Sequence, residues 1–186
     1  KALSAHFSPR KTAPLGSKLR DADGRSALLF SLEPQQRDWL HRRIEVRFDQ
    51  MWVQGFLPEV LRLRAMPGWH ENAPAMRCVG YRQAWAVIDH WHAMGWTDER
   101  LLATLKGAVG GDPLPPSAKD FFMQHPEADL RQGLGQWRST TLAATRQLAK
   151  RQLTWLRGMP ERTIVACDAP DAIEQVLAQV LSRSET

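Results

Sequence analysis

Helical periodicity dominates the pattern of hydrophobic and polar positions along the chain. At about 100° per residue, apolar side chains share one face in six segments, which we predict as helices: 35–54, 58–65, 81–94, 98–106, 138–156 and 170–182. Two short runs of apolar and β-branched residues predict strands at 27–32 and 162–167. Thr97 is placed to cap the start of the fourth helix. The pattern predicts a mostly α protein with short β strands.

Glycine and proline interrupt this pattern. Residues 1–26 are rich in Ser, Lys, Arg, Pro and Gly, and we expect an extended or mobile arm there. Residues 107–117 are rich in Gly and Pro and should break regular structure. For residues 118–137 we predict only short helical pieces, because Gly133 and Gly135 weaken the helical pattern.

Large aromatic side chains are expected to fill the core. The chain has eight tryptophans against one tyrosine, and large aromatics dominate the area that a domain buries. In the helix 81–94 we expect Trp85, Ile88 and Trp91 to face inward, and we expect Trp155 to pack in the core. The first helix should add a stripe at helical spacing, formed by Leu40, Ile44, Phe48 and Met51.

Charge and cysteine content narrow the function classes. The chain carries 25 Lys+Arg against 20 Asp+Glu, a net charge of +5 that is compatible with nucleic acid or phosphate ligands. Its two cysteines, Cys78 and Cys167, are far apart, so we expect no zinc site and a reducing compartment. No apolar run approaches the ~18 residues of a spanning helix, and no signal peptide is visible. We therefore expect a cytoplasmic protein with no membrane partner.

A row of cations lies along one edge of the helix 138–156. At helical spacing Arg146, Lys150 and Arg157 project together, beside an apolar stripe formed by Leu142, Ala149, Leu153 and Leu156. Such a row suits a polyanion better than a single carboxylate. A solvated basic face is the ordinary alternative, which this helix alone leaves open.

Two further pairs of arginines favour an anionic ligand. Arg43 and Arg47 lie one turn apart on the first helix. Arg77 and Arg82 flank Gly80, which permits a close backbone approach at a helix start. Because guanidinium groups hold phosphate in a bidentate way, we expect the three basic sets to line one passage for an anion.

The other polar motifs carry less chemistry. Glu45 and Asp49 are spaced i, i+4, and we expect them to pair with neighbouring arginines on the same helix rather than act as an acid and a base. The Gly-rich segment 106–111 lacks the Gly-Lys-Ser/Thr end of a phosphate loop, so we interpret it as a linker.

Three segments of the chain together resemble the tRNA dimethylallyltransferases, also called tRNA isopentenyltransferases. The matching residues are Leu40–Met51 with Gly55-Phe56 and Glu59-Val60, then Met76–Trp85, and last Ala144–Arg157. The resemblance covers about residues 27–88 and 138–168.

This resemblance implies a fold and an activity. The family has an α/β core related to P-loop kinases; residues 27–88 and 138–186 would form its C-terminal part, and 89–137 a helical insertion of unknown role. Family members transfer a dimethylallyl group from its diphosphate to N6 of the adenosine adjacent to the tRNA anticodon. The expected partners are therefore the tRNA anticodon arm and dimethylallyl diphosphate, and we expect a monomer.

The resemblance also implies roles for particular residues. Those expected to bind tRNA are Arg77, Cys78, Val79, Gly80, Tyr81, Arg82, Lys150, Arg151, Gln152, Leu153, Thr154, Trp155, Leu156 and Arg157, with Arg146 as a possible addition. Arg43 and Arg47 would lie near the diphosphate channel and serve catalysis. Tyr81 or Trp155 could stack on an exposed base.

Two family features do not occur in this sequence: a phosphate-binding loop ending in Gly-Lys-Ser/Thr, and the aspartate that acts as general base. The resemblance therefore implies that Mg²⁺ and ATP- or nucleotide-type binding depend mainly on residues outside this chain, with no metal ligands within it. We expect the chain alone to be inactive in transfer. Two alternatives stay open: a non-catalytic RNA-binding module with basic helices, and a helical domain whose basic stripe pairs with an acidic protein.

Overall fold

The computed structural model describes residues 28–109 and 127–184 of the chain. Its helices are α1 (Arg37–Val53), α2 (Phe56–Arg64), α3 (Tyr81–Ala93), α4 (Asp98–Val109), α5 (Ala128–Leu156) and α6 (Ala172–Ser184), and its strands are β1 (Phe30–Glu33) and β2 (Thr163–Ala166). A 3₁₀ turn, Pro74–Arg77, precedes α3. The six predicted helices and both predicted strands are present, which confirms a mostly α protein with short β strands.

Several predictions fall partly or wholly outside the described ranges. These are the arm at 1–26, residues 110–117 of the predicted break, and residues 118–126 of the predicted helical pieces. The break does not begin at residue 107, because α4 continues to Val109. Within the described ranges, no helix is long and apolar enough to cross a membrane.

The chain divides into two compact units. Of the described residues, 28–39 and 150–184 belong to the first unit, and 40–109 and 127–149 belong to the second. The first unit contains a parallel sheet of two strands, in register from Phe30 opposite Thr163 to Glu33 opposite Ala166.

Two carboxylates accept hydrogen bonds that link the chain segments at the ends of these strands. The Asp168 carboxylate accepts the backbone N–H groups of Gln35 at 3.0 Å and Gln36 at 2.8 Å, just before α1. These hydrogen bonds hold the pKa of Asp168 below its ordinary value. Glu33 accepts a hydrogen bond from Nε of Arg162 at 2.7 Å, and this bond lowers the pKa of Glu33.

The second unit is built around an aromatic core. Trp137 on α5 is 2% exposed, and its ring centroid lies 4.7 Å from that of Phe48, 5.8 Å from Trp52 and 6.0 Å from Phe56. Ile44 and Met51 pack against this cluster as the first-helix stripe predicts. Leu40 is half-buried.

Helix α5 begins ten residues earlier than the predicted 138–156, so the expectation of short helical pieces is wrong for residues 128–137. A Cβ on Gly133 would lie 2.3 Å from the indole nitrogen Nε1 of Trp91. The glycine therefore permits α3 to approach α5 closely, and this packing outweighs the low helix propensity of glycine. Gly135, by contrast, has no atom within 4 Å of such a Cβ.

That residues 89–137 are an insertion relative to other family members stays a prediction. Its limits fall inside α3 and α5, and Trp91, Leu101 and Leu134 belong to the same apolar cluster as Phe48. Those residues are structural parts of the second unit's core.

Two local predictions about α3 and α4 have opposite outcomes. The Thr97 hydroxyl oxygen accepts the backbone N–H of Arg100 at 3.2 Å, which confirms Thr97 as the cap of α4. Ile88 and Trp91 are buried as expected, but Trp85 is only half-buried. The Arg64 guanidinium lies 4.1 Å from the Trp85 ring centroid, so Trp85 stacks under a cation at the surface.

Candidate functional site

The predicted Arg77–Arg82 motif forms a tight turn into α3. Gly80 has φ 97° and ψ −61°, a conformation that L side chains rarely adopt. Its N–H donates to the side-chain oxygen Oε1 of Gln83 at 2.8 Å, so the first turn of α3 is closed by its own residues. The glycine between the two arginines is therefore required by backbone geometry.

This turn brings the two arginines together as predicted. The Arg82 guanidinium donates to the backbone carbonyl oxygen of Arg77 at 3.2 Å. Both side chains are exposed and line one cleft of about 410 Å³. Asp89 also lines this cleft, but its carboxylate pairs with Arg64 at 2.6 Å. Glu71 lines the cleft as well and has no cationic partner among the described residues, so two arginines stand against one unmatched carboxylate. The net charge of the cleft is therefore positive and favours an anion.

Arg82 also borders a second cleft, of about 300 Å³, between α3 and α5. The surface of this cleft is mostly apolar, with buried Val87 and Trp137 at its floor. Its polar lining residues are Gln83, His90, Gln136 and Thr140. The same guanidinium therefore stands between a polar cleft and an apolar one.

Tyr81 is half-buried and is held in place by two contacts. Its hydroxyl donates to Oε1 of Glu59 at 2.5 Å, and its ring packs edge-on against Phe56 with centroids 4.9 Å apart. The hydrogen bond to the Glu59 carboxylate, together with burial, raises the pKa of Tyr81 to about 12. Tyr81 thus anchors the Arg77–Arg82 turn on α2.

The second predicted segment, Lys150–Arg157, lies in the first unit at the end of α5. Most of its side chains are exposed, and Leu153 and Leu156 are half-buried. The expectation that Trp155 packs in the core is wrong, because it is 66% exposed. Its position on the outer face of α5 leaves its ring open to a ligand.

Two further predicted cations lie on α1. Arg43 and Arg47 are exposed one turn apart on α1, and neither lines the clefts beside Arg82. The two arginine pairs of the second unit therefore do not share a cleft, and a single passage for all three sets stays a prediction.

The expected ion pairs within α1 are replaced by pairs between helices. Glu45 binds Arg146 of α5 at 2.5 Å, and Asp49 lies 3.5 Å from Arg138 of α5. Side chains on a neighbouring packed helix are closer partners for these acids than the arginines of α1. Arg146 is consequently engaged with a carboxylate and does not stand as an open cation beside Lys150.

Comparison with known proteins decides the family. A family model described as IPP transferase matches residues 2–159, which is most of the chain. The chain belongs to the IPP transferase family. Relatives named tRNA dimethylallyltransferase occur in Verminephrobacter eiseniae, 46% identical over 84% of this chain, in Albidiferax ferrireducens, 44% over 90%, and in Methylibium petroleiphilum, 48% over 81%.

This member of the IPP transferase family matches only part of its relatives. The aligned region is 39% of the V. eiseniae protein, 36% of the A. ferrireducens protein and 34% of the M. petroleiphilum protein. The chain thus spans between a third and two fifths of the length of these curated relatives.

The described residues of this IPP transferase chain form no cluster of metal-binding side chains. Across residues 28–109 and 127–184, no group of three or more His, Cys, Asp or Glu side chains could hold a metal ion. These residues therefore do not fit Mg²⁺.

Sequence reasoning missed the cleft between α3 and α5 of this family member. Gln83, Gln136 and Thr140 line it but carry no recognisable motif, and they come together only through the packing of α3 on α5. The close approach at Gly133 was the available signal, because a glycine inside a strong helical pattern has a packing or functional reason.

Proposed function

We propose that this chain is the tRNA-binding part of a tRNA dimethylallyltransferase. The whole enzyme would transfer a dimethylallyl group from dimethylallyl diphosphate to N6 of the adenosine adjacent to the anticodon. A P-loop-type core, a cytoplasmic location and a monomeric state belong to the same proposal. The observation that carries it is the pairing of Arg77 and Arg82 in one cleft of an IPP transferase chain.

The tRNA contact would be made by two exposed segments. At Arg77 and Arg82, two permanent cations face the same cleft, and guanidinium forks bind phosphate oxygens in pairs. At the end of α5, Lys150, Trp155 and Arg157 are all exposed, and the Trp155 ring suits base stacking. Phosphate contacts of this kind fix the position of an RNA and offset the cost of unstacking the target base.

The chemical step would draw on Arg43 and Arg47. The bond from N6 to the allylic carbon forms as the carbon–oxygen bond to diphosphate breaks, and N6 loses a proton to a base. Negative charge then grows on the diphosphate, and exposed guanidinium groups one turn apart on α1 can stabilise it. When bound, Mg²⁺ would add the same kind of stabilisation from residues outside this chain.

Transfer of the dimethylallyl group would require more than this chain. The first unit of the chain has an exposed apolar surface that supports this part of the proposal. Ile173, Leu177 and Leu181 form an exposed apolar stripe on α6 at spacing i, i+4 and i+8. Leu32 and Ile164 are also exposed, and they stand on opposite faces of the sheet because Leu32 pairs with Val165.

Parallel sheets are normally covered on both faces, and a surface helix does not keep such a stripe in water without a partner. The occupant that fits is the part of the transferase that this chain does not span, which is about three fifths of the V. eiseniae relative. The catalytic centre would be completed by that part.

Co-purification tests this docking. The full chain is expressed with a tagged polypeptide comprising the unmatched part of the V. eiseniae enzyme. We expect the chain to co-purify, Ile173→Lys with Leu177→Lys to abolish co-purification, and Val46→Lys, an exposed apolar position on α1, to have no effect. Equal recovery of all variants, or no recovery of the unaltered chain, would remove this surface from the proposal.

Competition experiments test the RNA function. A labelled anticodon stem-loop RNA is bound to the full chain and displaced by tRNA, heparin or polyglutamate. We expect tRNA to displace the labelled RNA at a lower concentration than heparin or polyglutamate, when each concentration is expressed per negative charge. If heparin displaces the labelled RNA as effectively as tRNA does, the surface is a general polyanion site. If polyglutamate displaces it more effectively than tRNA does, an acidic protein is the favoured partner.

Kinetics of the completed enzyme test the division of roles. Arg77→Ala and Lys150→Ala should mainly raise KM for RNA, whereas Arg43→Ala and Arg47→Ala should mainly lower kcat. Unchanged steady-state kinetics in all four variants would remove these assignments.

A further inference from the structure

The two clefts that meet at Arg82 differ in chemistry. One is lined by Arg77 together with Asn72 and the carboxylates Glu71 and Asp89, and the other, between α3 and α5, is mostly apolar. Arg82 and Ala86 line both. A nucleotide has the same two-sided character, since a charged phosphate is joined to a flat base with apolar faces and polar edges.

The apolar cleft has walls that are already fixed in position. Trp91 seats against Gly133 and its Nε1 lies 3.4 Å from the backbone oxygen of Asp129, so α3 and α5 are in close contact beside the cleft. Its floor residues, Val87 and Trp137, are buried in the core. A ligand would therefore enter a preformed space, which lowers the cost of binding.

The rim of the cleft carries hydrogen-bonding groups suited to a base edge. Gln136 and Thr140 of α5 are exposed, with Gln83 and His90 of α3 opposite them. The Oε1 atom of Gln83 already accepts from Gly80, so its amide NH₂ is the group left to donate to a ligand. Amide side chains pair with the donor and acceptor edges of unstacked bases.

We propose that the cleft between α3 and α5 binds one unstacked nucleobase of the RNA, while Arg82 and Arg77 hold the adjoining phosphates. This inference rests on the proposed RNA function and adds a base-binding subsite to it. The volume of about 300 Å³ lies at the lower end of the range for small-molecule sites, which suits one base better than a larger ligand.

The charge at the cleft selects a nucleotide over an uncharged apolar group. Arg82 stands at one end of the cleft and is permanently protonated, so a ligand with a phosphate next to its flat group gains two contacts at once. Within the described residues, no carboxylate lines this cleft. In the adjoining cleft Asp89 is paired with Arg64, and the one unmatched carboxylate among its described lining residues, Glu71, is outnumbered by Arg77 and Arg82. An anionic neighbour is therefore favoured.

Abasic RNAs test the subsite directly. A series of anticodon stem-loop RNAs, each lacking one base, is bound to the full chain and to two pairs of variants. Thr140→Leu places a larger apolar side chain in the cleft. Ser139→Leu is its control, because the Ser139 and Thr140 hydroxyls both donate to the carbonyl oxygen of Gln136 but Ser139 lies outside the cleft. Gln136→Ala removes a rim amide, and Gln132→Ala removes the exposed amide one turn earlier.

We expect one abasic position to weaken binding to the unaltered chain by about tenfold or more. That loss should disappear in Thr140→Leu and shrink in Gln136→Ala, and it should persist in both controls. If RNA binds but every abasic position costs the same in Thr140→Leu as in the unaltered chain, the subsite is refuted while the RNA function stands. If no RNA binds to the unaltered chain, both proposals fail together.

Discussion

The Arg82 guanidinium donates a hydrogen bond to the backbone carbonyl oxygen of Arg77 at 3.2 Å, so both arginines of one short motif face a single cleft. We expect Arg77→Ala and Arg82→Ala each to weaken RNA binding and to lower the slope of log K against log salt by about 0.7–0.9 per lost phosphate contact. Arg62→Ala, which removes an exposed arginine of α2 outside the cleft, is the matched control. Salt-titrated binding isotherms check this, and identical slopes for all three variants would contradict it.

Trp155 allows stability and binding to be separated. Because it is 66% exposed, Trp155→Ala should leave the melting temperature unchanged while weakening RNA binding by about 1–3 kcal/mol. Trp137→Ala, at a site 2% exposed, should instead lose about 3–5 kcal/mol of unfolding free energy. Thermal melts and binding isotherms of both variants decide the matter, and a large loss of stability in Trp155→Ala would restore its predicted place in the core.

Two glycines of α5 should respond in opposite directions to the same substitution. Gly133→Ala forces a methyl group against the Trp91 indole, and we expect a loss of about 1–3 kcal/mol in unfolding free energy. Gly135→Ala meets no neighbouring atom and removes backbone freedom from a helix, so a gain of about 0.5–1 kcal/mol is expected. Urea denaturation measures both, and equal effects at the two sites would show that α3 does not pack on Gly133.

The only tyrosine of the chain reports on the anchoring of the Arg77–Arg82 turn. Tyr81 has its pKa raised to about 12 by its hydrogen bond to Glu59, so its contribution to stability is present below the unfolded pKa of about 10 and is lost as the pH rises towards 12. Absorbance of the phenolate at pH 11 should be low in the folded chain and high in urea. Glu59→Ala should bring the titration back towards 10. A folded chain that titrates near 10 would mean that the hydrogen bond is absent.

The sequence pattern was sufficient to predict the helices and strands, but it was insufficient to predict which of them contact one another. Spacing and capping signals located each helix, and Thr97 was identified correctly from its residue type. The early start of α5 was missed because the reason for Gly133 lies in Trp91, more than forty residues away in sequence. Propensity describes an isolated helix, whereas the approach of α3 decides what this helix tolerates.

The same limit applies to the candidate site. The proximity of Arg77 and Arg82 followed from a short motif around Gly80, so local sequence was enough. Pairing of Glu45 with Arg146 joins two helices, and sequence spacing pointed to α1 instead. Likewise the anchoring of Tyr81 depends on Glu59, a partner on α2, and Trp155 has an exposed position although its residue type pointed to the core.

Photo-cross-linking tests the central claim most directly. An anticodon stem-loop RNA carrying 4-thiouridine is irradiated with the full chain, and the cross-linked peptides are identified by mass spectrometry. We expect cross-links within Arg77–Arg82 and Lys150–Arg157. Cross-links confined to other surfaces, such as the exposed side of α1 around Val46 and Val53, would contradict it.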